Sequence, residues 1–416
     1  MGDVITVLLI GTCDTKSEEM RFMRGRLEDG GAKVLVMDVG ILGQPAIATD
    51  FSSIAVAGAA GASLKDLATL GDENLAMARM ASGAALLARQ LHDERRMQGV
   101  VVLGGTMGTD LGLDVAAALP LGVPKFIVST VAFSHLIPPE RIAPDLMMIL
   151  WAGGLYGLNS VCQGVLSQAA GAVLGACRSA ALPVSARPLV GMTSLGKSCL
   201  KYMVRLKPAL EARGYEVAVF HTTGMGGRAF EALAAQGRFA AVLDLSLQEV
   251  SNQVNGSLVN SGAGRLEAAG RAGIPQIVAP GAVDMIDLPT WQELPERYTG
   301  RCYHAHNRLI ASVAASGDER IRTARYIADK LTGSRGPTAL VLPLHGIQEW
   351  DRPGQPMHDA AGHVALIDEL RRSLRPPVQM VEIDAHINDA GFAAGVMEVF
   401  DQWAGLGLIT PGRSQA

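Results

Sequence analysis

The sequence is poor in the features that mark nucleic-acid-binding and disulfide-stabilised proteins. Charged residues make up only 18% of the 416 residues, the net charge is −4, and no basic run occurs, so we expect no nucleic-acid partner. No CxxC pair is present. The cysteines are odd in number and scattered (Cys13, Cys162, Cys177, Cys199 and Cys302). This pattern predicts reduced thiols and a cytoplasmic protein.

Membrane signals are also weak. The N-terminus enters a strand-like run without a basic segment or a cleavage site, so we expect no signal peptide. The apolar stretch 150–177 is long enough to resemble a membrane span, but it carries Asn159, Gln163 and Gln168 among many Gly and Ala residues. We interpret it as a packed helix of a soluble protein, suited to a dimer contact, and predict no membrane partner.

What the chain does have is 49% hydrophobic residues, arranged as short apolar runs that alternate with helical stretches. Continuous apolar strands separated by helices predict parallel sheets covered on both faces. The predicted strands lie at 4–10, 32–39, 99–105 and 125–130, and then at 185–193, 215–222, 239–246, 275–281, 338–344 and 378–385. A linker-like segment at 180–188 separates the two sets. We therefore predict two doubly wound, Rossmann-like α/β lobes, 1–183 and 184–416.

The first strand ends in "GTCDTKSEE", residues 11–19. Gly11 permits a tight turn, Thr12, Asp14 and Thr15 offer oxygens, and Lys16 adds a positive charge. Thr15 and Glu18 have the spacing of a capping box, which predicts that a helix begins here. A helix N-terminus after a strand presents free N–H groups to an anion. The alternative is an ordinary strand-to-helix turn.

A second loop of this kind, "GGTMGTD", covers residues 104–110. Glycine lets main-chain amides approach a phosphate, and threonine hydroxyls add donors. The predicted ligand contacts are Gly104, Gly105, Thr106, Gly108 and Thr109. The spacing is not GxGxxG, so a dinucleotide fingerprint is not supported. Both loops should reach one sheet edge, beside Asp38, Gly40, Ser129 and Thr130, and together they favour a phosphorylated ligand over plain turns.

The stretch "GMTSLGKS", residues 191–198, has the spacing of a phosphate-binding P-loop, and Asp244 ends a later strand as a Walker-B aspartate would. Gly-rich strand-to-helix loops recur in such folds, so a chance match is the better interpretation. The spacing alone does not show that this loop wraps a phosphate.

The strand ends of the second half are rich in polar residues. "HTTGMGGRA" (221–229) and "SGAGRLEAA" (261–269) are further Gly-rich loops, and five of the nine histidines lie at such ends (His221, His304, His306, His345 and His386). With Asp284, Asp384, Asn388 and Asp389 they indicate a metal site, acid–base or substrate-binding groups, or structural hydrogen bonds. No HExxH or paired CxxC motif supports a metal. We predict His306, Asp384 and His386 as catalytic residues and assign no metal ligand.

Several blocks together resemble the ATP-binding domain family typified by the tomato mosaic virus resistance protein. They include "IGTCDTKSEEMRFM", "GGTMGTD", "FHTTGMGGRA", "PGAVDMIDL", "HAHN" and "HINDAGFA", and the resemblance covers about residues 4–403. It implies a two-lobed protein, commonly a dimer, that binds ATP through the amino-terminal lobe. Carried over to this chain, the nucleotide loops are 11–16 and 104–109.

Two departures from the family pattern matter. Relatives read G-x-T-x-F-G-V-T-T at 191–199, without a lysine, so Lys197 weakens the P-loop interpretation. They also carry Leu-Met-Arg-Thr-Thr after the HAHN block, where this chain has "LIASVAAS" (309–316).

We therefore expect an ATP-binding protein, with Mg²⁺, that acts as an ATP-dependent enzyme on an unknown small molecule at a cleft between the lobes. One alternative is a nucleotide-binding regulatory or interaction module without catalysis. Another is a metal-dependent hydrolase, lyase or isomerase of the second lobe. We expect a homodimer or a higher homo-oligomer.

Overall fold

The computed structural model describes residues 4–180 and 186–413. The chain forms two compact units, Met1–Pro183 and Val184–Ala416, called unit 1 and unit 2 below. Residues 181–185, in the predicted linker, lie outside the described part. Both units are α/β, each built on a parallel sheet flanked by helices, which confirms the predicted fold class.

Unit 1 contains one five-stranded sheet in which all neighbouring strands are parallel, in the order β2-β1-β3-β4-β5. Its elements are β1 (Thr6–Gly11), α1 (Ser17–Asp29), β2 (Lys33–Asp38), α2 (Ser53–Ala59), α3 (Leu64–Thr69), α4 (Glu73–Asp93), β3 (Gly99–Gly104), α5 (Thr106–Ala118), β4 (Lys125–Ser129), β5 (Leu146–Leu150) and α6 (Ser160–Ser179).

The central strands of unit 1 are apolar throughout because helices cover both sheet faces. Along β1, Leu8 and Ile10 pack in a core with α4 and α5. Val7 and Leu9 point to the opposite face and pack with α1 and α6. The alternation of side chains along a strand therefore divides one apolar run between two hydrophobic cores.

Helix α6 contains most of the apolar stretch that resembled a membrane span. It is long and apolar enough to cross a bilayer by those two criteria. One face, which includes Leu166, Ala170 and Val173, is buried in the core against the sheet. Of its most apolar 18-residue window, 39% is buried, so the packed helix of a soluble protein stays a prediction.

Unit 2 contains a six-stranded parallel sheet in the order β14-β13-β9-β8-β6-β7 and a small antiparallel sheet in the order β10-β12-β11. The elements are β6 (Leu189–Ser194), α7 (Lys201–Ala212), β7 (Glu216–His221), α8 (Met225–Ala235), β8 (Ala241–Ser246), α9 (Gln248–Val254), α10 (Ala268–Ala272), β9 (Gln276–Gly281), β10 (Met285–Pro289), β11 (Tyr303–Ala305), β12 (Ile310–Ala314), α11 (Gly317–Thr332), β13 (Thr338–Pro343), α12 (Ala360–Ser373), β14 (Gln379–Ile383) and α13 (Ala390–Gly405).

Candidate functional site

The order of the strands in unit 1 creates a crevice at the carboxyl ends of β1 and β3. The chain leaves β1 toward β2 on one side and later enters β3 on the other, which is the topological switch point where doubly wound folds bind ligands. The two strands are hydrogen-bonded neighbours, with Ile10 opposite Val102. The two loops predicted to bind a phosphate, 11–16 and 104–109, therefore begin side by side.

The loop after β1 keeps its threonine side chains at this edge. The hydroxyls of Thr12 and Thr15 lie 2.7 Å apart, and the amide of Lys16 donates to the carbonyl of Thr12. Lys16 is half-buried, with its Nζ 5.9 Å from the centre of the Tyr156 ring. These side chains surround the start of α1.

Helix α1 begins at Ser17 without a side-chain cap, so the predicted capping box is wrong. The hydroxyl of Thr15 pairs with Thr12, and the Glu18 carboxylate accepts from the amide of Leu158 at 3.5 Å. The buried Glu19 carboxylate accepts from the amide of Gly157 at 2.8 Å. Both acidic residues of the first turn thus hold the loop after β5, and the first amides of α1 have no intrahelical acceptor.

Two aspartates lie beside the loop after β1. Asp38 Oδ1 accepts from the amides of Cys13 and Gly40, both at 2.9 Å, and Asp14 Oδ2 accepts from the amides of Leu42 and Gly43, both at 3.0 Å. Burial raises the pKa of Asp38. Asp38 Oδ2 and Asp14 Oδ1 are buried without a hydrogen-bond partner among the described residues. Each carboxylate thus has one oxygen that accepts from backbone amides and one buried oxygen that no described group pairs.

The loop after β3 leads directly into α5. Gly105 is the N-cap, and no side chain caps the helix. A Cβ on Gly104 would overlap with Gly108, whereas a Cβ on Gly105 would have only Thr130 Oγ1 within 4 Å, at 3.8 Å. The space that a side chain at Gly105, the N-cap of α5, would enter is therefore open.

The two threonines of this loop have different positions. Thr106 is exposed at the start of α5, but Thr109 is buried and its hydroxyl lies 2.7 Å from that of Ser129. The Thr109 side chain thus ties α5 to β4. It does not reach the open edge where a phosphate contact was expected.

The P-loop spacing at 191–198 belongs to a different structure. Gly191 to Ser194 are part of the buried strand β6, and a Cβ on Gly191 would press against Phe239 and Phe230. Leu195 and Cys199 then form a short antiparallel bridge around exposed Lys197. The first half of the motif is strand, so it forms no loop around a phosphate.

Carboxylates of the protein itself occupy the other Gly-rich loops of unit 2. Glu249 Oε1 accepts from the amides of Gly224 and Gly227 at the start of α8. Glu231 accepts from the amides of Leu266 and Ala268. Asp244, the Walker-B look-alike, pairs through both oxygens with the buried Arg265. These helix N-termini are already neutralised, in contrast to that of α5 in unit 1, which has neither a side-chain cap nor an acidic residue in its first turn.

Unit 2 has a cavity of about 650 Å³ at the carboxyl ends of β13 and β14. Two of the three predicted catalytic residues, Asp384 and His386, line it. The segment between β13 and α12 contributes most of its other polar side chains. The ionisable lining residues are Asp284, Arg320, His345, Asp351, Arg352, His358, Asp359, His363, Asp384, His386 and Asp389.

Hydrogen bonds occupy both ring nitrogens of His386. Its Nε2 lies 2.9 Å from Asp351 Oδ1 and 3.0 Å from the carbonyl of Gln348, and its Nδ1 accepts from the amide of Asn388. The residue is only 2% exposed. In this arrangement His386 fixes the cavity wall and has no nitrogen available for proton transfer.

Asp384 pairs with a histidine at the mouth of the cavity. Its Oδ1 lies 2.6 Å from Nε2 of His345, and both side chains are well exposed. A carboxylate that orients an accessible imidazole is a common acid–base arrangement. His345 is therefore a better acid–base candidate than His386.

His306, the third predicted catalytic residue, does not line this cavity. It lies in the turn between β11 and β12, where its Nε2 is 3.0 Å from Ser312 Oγ, and its ring stacks near His304 and Trp350. Partial burial and His304 lower its pKa. Among the described residues, no group of three or more His, Cys, Asp or Glu has an arrangement that could hold a metal ion.

Sequence reasoning missed several residues of this cavity, namely Arg320, Asp351, His358 and His363. The available signal was the density of polar residues in 345–363, directly after a predicted strand. Asp384 was selected because polar residues at the carboxyl end of a strand are candidates for a binding site. The same reasoning (the strand-end rule) applies equally to the segment 345–363.

Comparison with known proteins gives a consistent relationship over both units. The N-terminal domain model of the Uncharacterised protein family (UPF0261) matches residues 5–181, and the C-terminal domain model matches residues 187–404. A UPF0261 protein of Brucella melitensis is 54% identical over 98% of this chain and 97% of its own.

A plant protein is a more distant relative. The ToMV resistance protein Tm-1(GCR237) of Solanum lycopersicum is 31% identical over 95% of this chain and 55% of that protein. Among solved structures, a UDP-N-acetylglucosamine 2-epimerase aligns over the full chain with 11% identity and a TM-score of 0.23, too low for a comparison of sites.

Proposed function

The chain belongs to the Uncharacterised protein family (UPF0261), and we propose that it binds ATP at the carboxyl edge of the unit 1 sheet and uses it in a reaction on a small molecule. The observation that carries this proposal is the pair of uncapped helix N-termini, α1 and α5, at the switch point between β1 and β3. Free amides and the positive ends of two helix dipoles favour a polyphosphate there.

The side chains around this edge suit a nucleotide that carries Mg²⁺. Lys16 supplies a positive charge, and the hydroxyls of Thr12, Thr15 and Thr106 supply donors. The buried, unpaired oxygens of Asp14 and Asp38 are carboxylate oxygens, which Mg²⁺ takes as ligands together with water and phosphate oxygens. When bound, Mg²⁺ neutralises phosphate charge, so that these carboxylates and the phosphates can lie close together.

Acid–base chemistry is proposed for unit 2. The exposed pair of His345 and Asp384 can take a proton from a substrate in the cavity, with Asp384 orienting the ring and stabilising its protonated form. We further propose a cytoplasmic location, in keeping with five unpaired cysteines, and a homodimer. The competing interpretation, a nucleotide-binding regulatory module, predicts ATP binding without turnover in the presence of any small molecule.

Isothermal titration of ATP with MgCl₂ tests the proposed site, with Gly105→Val as the principal variant. The φ of Gly105 is −67°, and its missing Cβ points into open space, so valine should be accepted by the fold. The valine methyl groups would fill the approach to the α5 amides. We expect ATP affinity to fall at least about ten-fold, the loss of a few charge-assisted hydrogen bonds.

Gly317→Val is the matched control. Gly317 also lies at a helix N-terminus with nothing near its missing Cβ, but Ser316 and Glu319 already cap that helix. The control should leave ATP affinity unchanged. Equal affinity in wild type and Gly105→Val would contradict a phosphate site at α5.

A second pair of variants compares the two candidate lysines. Lys16→Ala should weaken ATP binding by about ten-fold, because a charge beside the phosphates is removed. Lys197→Ala should leave it nearly unchanged, because Lys197 lies on a turn after a buried strand and not in a phosphate loop. Loss of binding in Lys197→Ala alone would move the site to unit 2.

A further inference from the structure

The cavity of unit 2 contains hydrogen-bond acceptors that the protein does not satisfy. Asp284 lines the cavity and is 3% exposed. Its Oδ2 accepts from Gln348 Nε2 at 3.2 Å, but its Oδ1 is buried and has no partner in the part of the chain that the structure describes. A buried acceptor left unpaired costs about 1–3 kcal/mol, so native proteins seldom retain one without a role.

A second unsatisfied acceptor lies on His363. Burial lowers the pKa of His363, and the charge of Asp351 together with hydrogen bonds to the carbonyls of Leu344 and Pro343 offsets this only in part. The ring is therefore neutral at pH 7. Its Nε2 is buried and unpaired among residues 4–180 and 186–413, so the nitrogen that faces the carbonyls is Nδ1–H. Nε2 then carries a lone pair, and it can only accept a hydrogen bond.

His358 repeats this orientation nearer the mouth. Its Nδ1 lies 2.7 Å from the backbone carbonyl of Asp351. Because a carbonyl accepts only, Nδ1 carries a proton, and in that tautomer Nε2 has the lone pair that can accept a hydrogen bond. The lining thus offers three acceptors, one carboxylate oxygen and two imidazole nitrogens, and a ligand that satisfies them must supply hydrogen-bond donors.

The charges around the cavity select against charged ligands of either sign. Arg320 pairs with Asp359, and Arg352 pairs with Asp389. Each guanidinium group therefore already has a carboxylate partner that an anionic ligand would have to displace. An anion would also meet Asp284 and Asp351, which repel each other's charge. An ammonium group at Asp284 would in turn meet the guanidinium of Arg320, which is 2% exposed and close enough to stabilise ionised Asp284.

We infer that this cavity binds a neutral polyhydroxylated ligand, a polyol or sugar, whose hydroxyls donate to Asp284 Oδ1 and His363 Nε2. A volume of about 650 Å³ is within the usual range for small-molecule sites. The inference names the substrate class of the enzyme proposed above and rests on that proposal for its catalytic meaning. Binding itself needs no nucleotide and is measured without it.

The structure allows an exchange of one acceptor for a donor. Gln348 Oε1 accepts from the amide of Trp350 at 2.8 Å, so its Nε2 must face residue 284. In Asp284→Asn the amide oxygen therefore stays toward Gln348, and the NH₂ takes the place of Oδ1. The variant presents a donor where the ligand also presents a donor, and the change in size is minimal.

Ligand-observed NMR titration of the full chain with myo-inositol and sorbitol tests the inference, with inorganic phosphate and 1,4-diaminobutane as charged probes. We expect at least one polyol to bind more tightly than either charged probe, and Asp284→Asn to weaken it about ten-fold or more. Asp368→Asn, an equal charge change on the exposed side of α12, should have no effect.

A second variant, His363→Phe, retains the ring and removes the other acceptor, and it should also weaken the polyol about ten-fold. Thermal unfolding of each variant verifies that it is folded. Tighter binding of phosphate or diamine, no binding of either polyol, or polyol binding unchanged in both variants would each overturn the inference. Gly105→Val should retain polyol binding, so failure at the nucleotide site remains distinguishable from failure here.

Discussion

A buried aspartate in the small antiparallel sheet explains where His306 is and what holds it. Asp287 is 2% exposed, and its Oδ1 accepts from Gln248 Nε2 at 2.6 Å and from Ser312 Oγ at 2.5 Å. Since Ser312 donates its proton to Asp287, its oxygen must accept from His306 Nε2–H. His306 is thus tied through Ser312 to a structural carboxylate.

This network makes a prediction about pH. Burial raises the pKa of Asp287 to about 6, against about 3.9 in an unfolded chain. The folded state therefore binds the proton more tightly, and Asp287 stabilises less as pH rises from about 4 to about 6. Urea unfolding of wild type and Asp287→Asn should give a difference in unfolding free energy that changes across this window by about 3 kcal/mol.

Because the other titrating groups contribute equally to the unfolding free energy of wild type and variant, their contributions cancel in the difference. The difference in unfolding free energy should be constant below pH 4 and above pH 7. Between these values, the stability of wild type should fall relative to that of the variant as pH rises. A difference that does not depend on pH would mean that Asp287 has an ordinary pKa, and the network would then not bury a charge.

The three predicted catalytic residues show what can and cannot be inferred from the sequence about individual side chains. The strand-end rule found Asp384 and His386, because the carboxyl end of β14 forms one wall of the cavity. It also selected His306, which lies on a different sheet. A residue's distance from a strand end is readable from sequence, but the sheet to which the strand belongs is set by pairing across long stretches of chain.

Among the elements, Gly-rich loops that look alike in sequence lead to helix N-termini that differ between the two units. The start of α5 in unit 1 is uncapped, whereas the start of α8 in unit 2 holds the carboxylate of Glu249, which also contacts the buried Arg265 at 3.1 Å. Glu249 is more than twenty residues away in the chain. A contact of this range is invisible to motif spacing, so "HTTGMGGRA" could be identified as a loop but not as an occupied one.

The occupied loop predicts an unusually costly glycine substitution. A Cβ on Gly227 would overlap with Glu249 Oε2, so Gly227→Ala should displace a carboxylate that is buried against Arg265. Breaking such a pair costs about 3–5 kcal/mol, although alanine is otherwise the better helix former by about 1 kcal/mol. Urea unfolding should therefore show a loss of about 2 kcal/mol or more.

Gly171→Ala on α6 is the matched comparison, because nothing lies within 4 Å of its missing Cβ. That change should be neutral or stabilising, as expected for a helix interior. If Gly227→Ala were as mild as Gly171→Ala, the loop would have room for a side chain, and Glu249 would not be a fixed cap.

The strands that the sequence predicted are those with continuous apolar runs, such as β1, β3, β8, β9 and β13. Strands β5, β10, β11 and β12 were not predicted. Strands β5 and β11 have half-buried or exposed residues rather than a buried run, and β11 has only three residues. The antiparallel sheet β10-β12-β11 was also not predicted. Asp287 and Ser312 interrupt the apolar residues of β10 and β12, although both strands are largely buried.

At the scale of the whole molecule, each unit has its own hydrophobic cores. The clusters that contain β1 and β3 draw only on unit 1, and those that contain β6, β9 and β13 draw only on unit 2. Two cores of this kind were predictable from the restart of the strand–helix pattern after residue 188. Residues far apart in sequence, such as Val190 and Phe400, meet in one core, and that could not be predicted.

Separate cores predict two unfolding transitions, each sensitive to its own ligand. A ligand stabilises only the cooperative unit that binds it, by about 2.7 kcal/mol at one hundred times its Kd. In calorimetric scans, ATP with Mg²⁺ should therefore raise one transition by about 5–10 °C, and a bound polyol should raise the other. Gly105→Val should abolish only the first shift and Asp284→Asn only the second. If both ligands moved the same transition, the two sites would belong to one cooperative unit, and assigning nucleotide to unit 1 and polyol to unit 2 would be wrong.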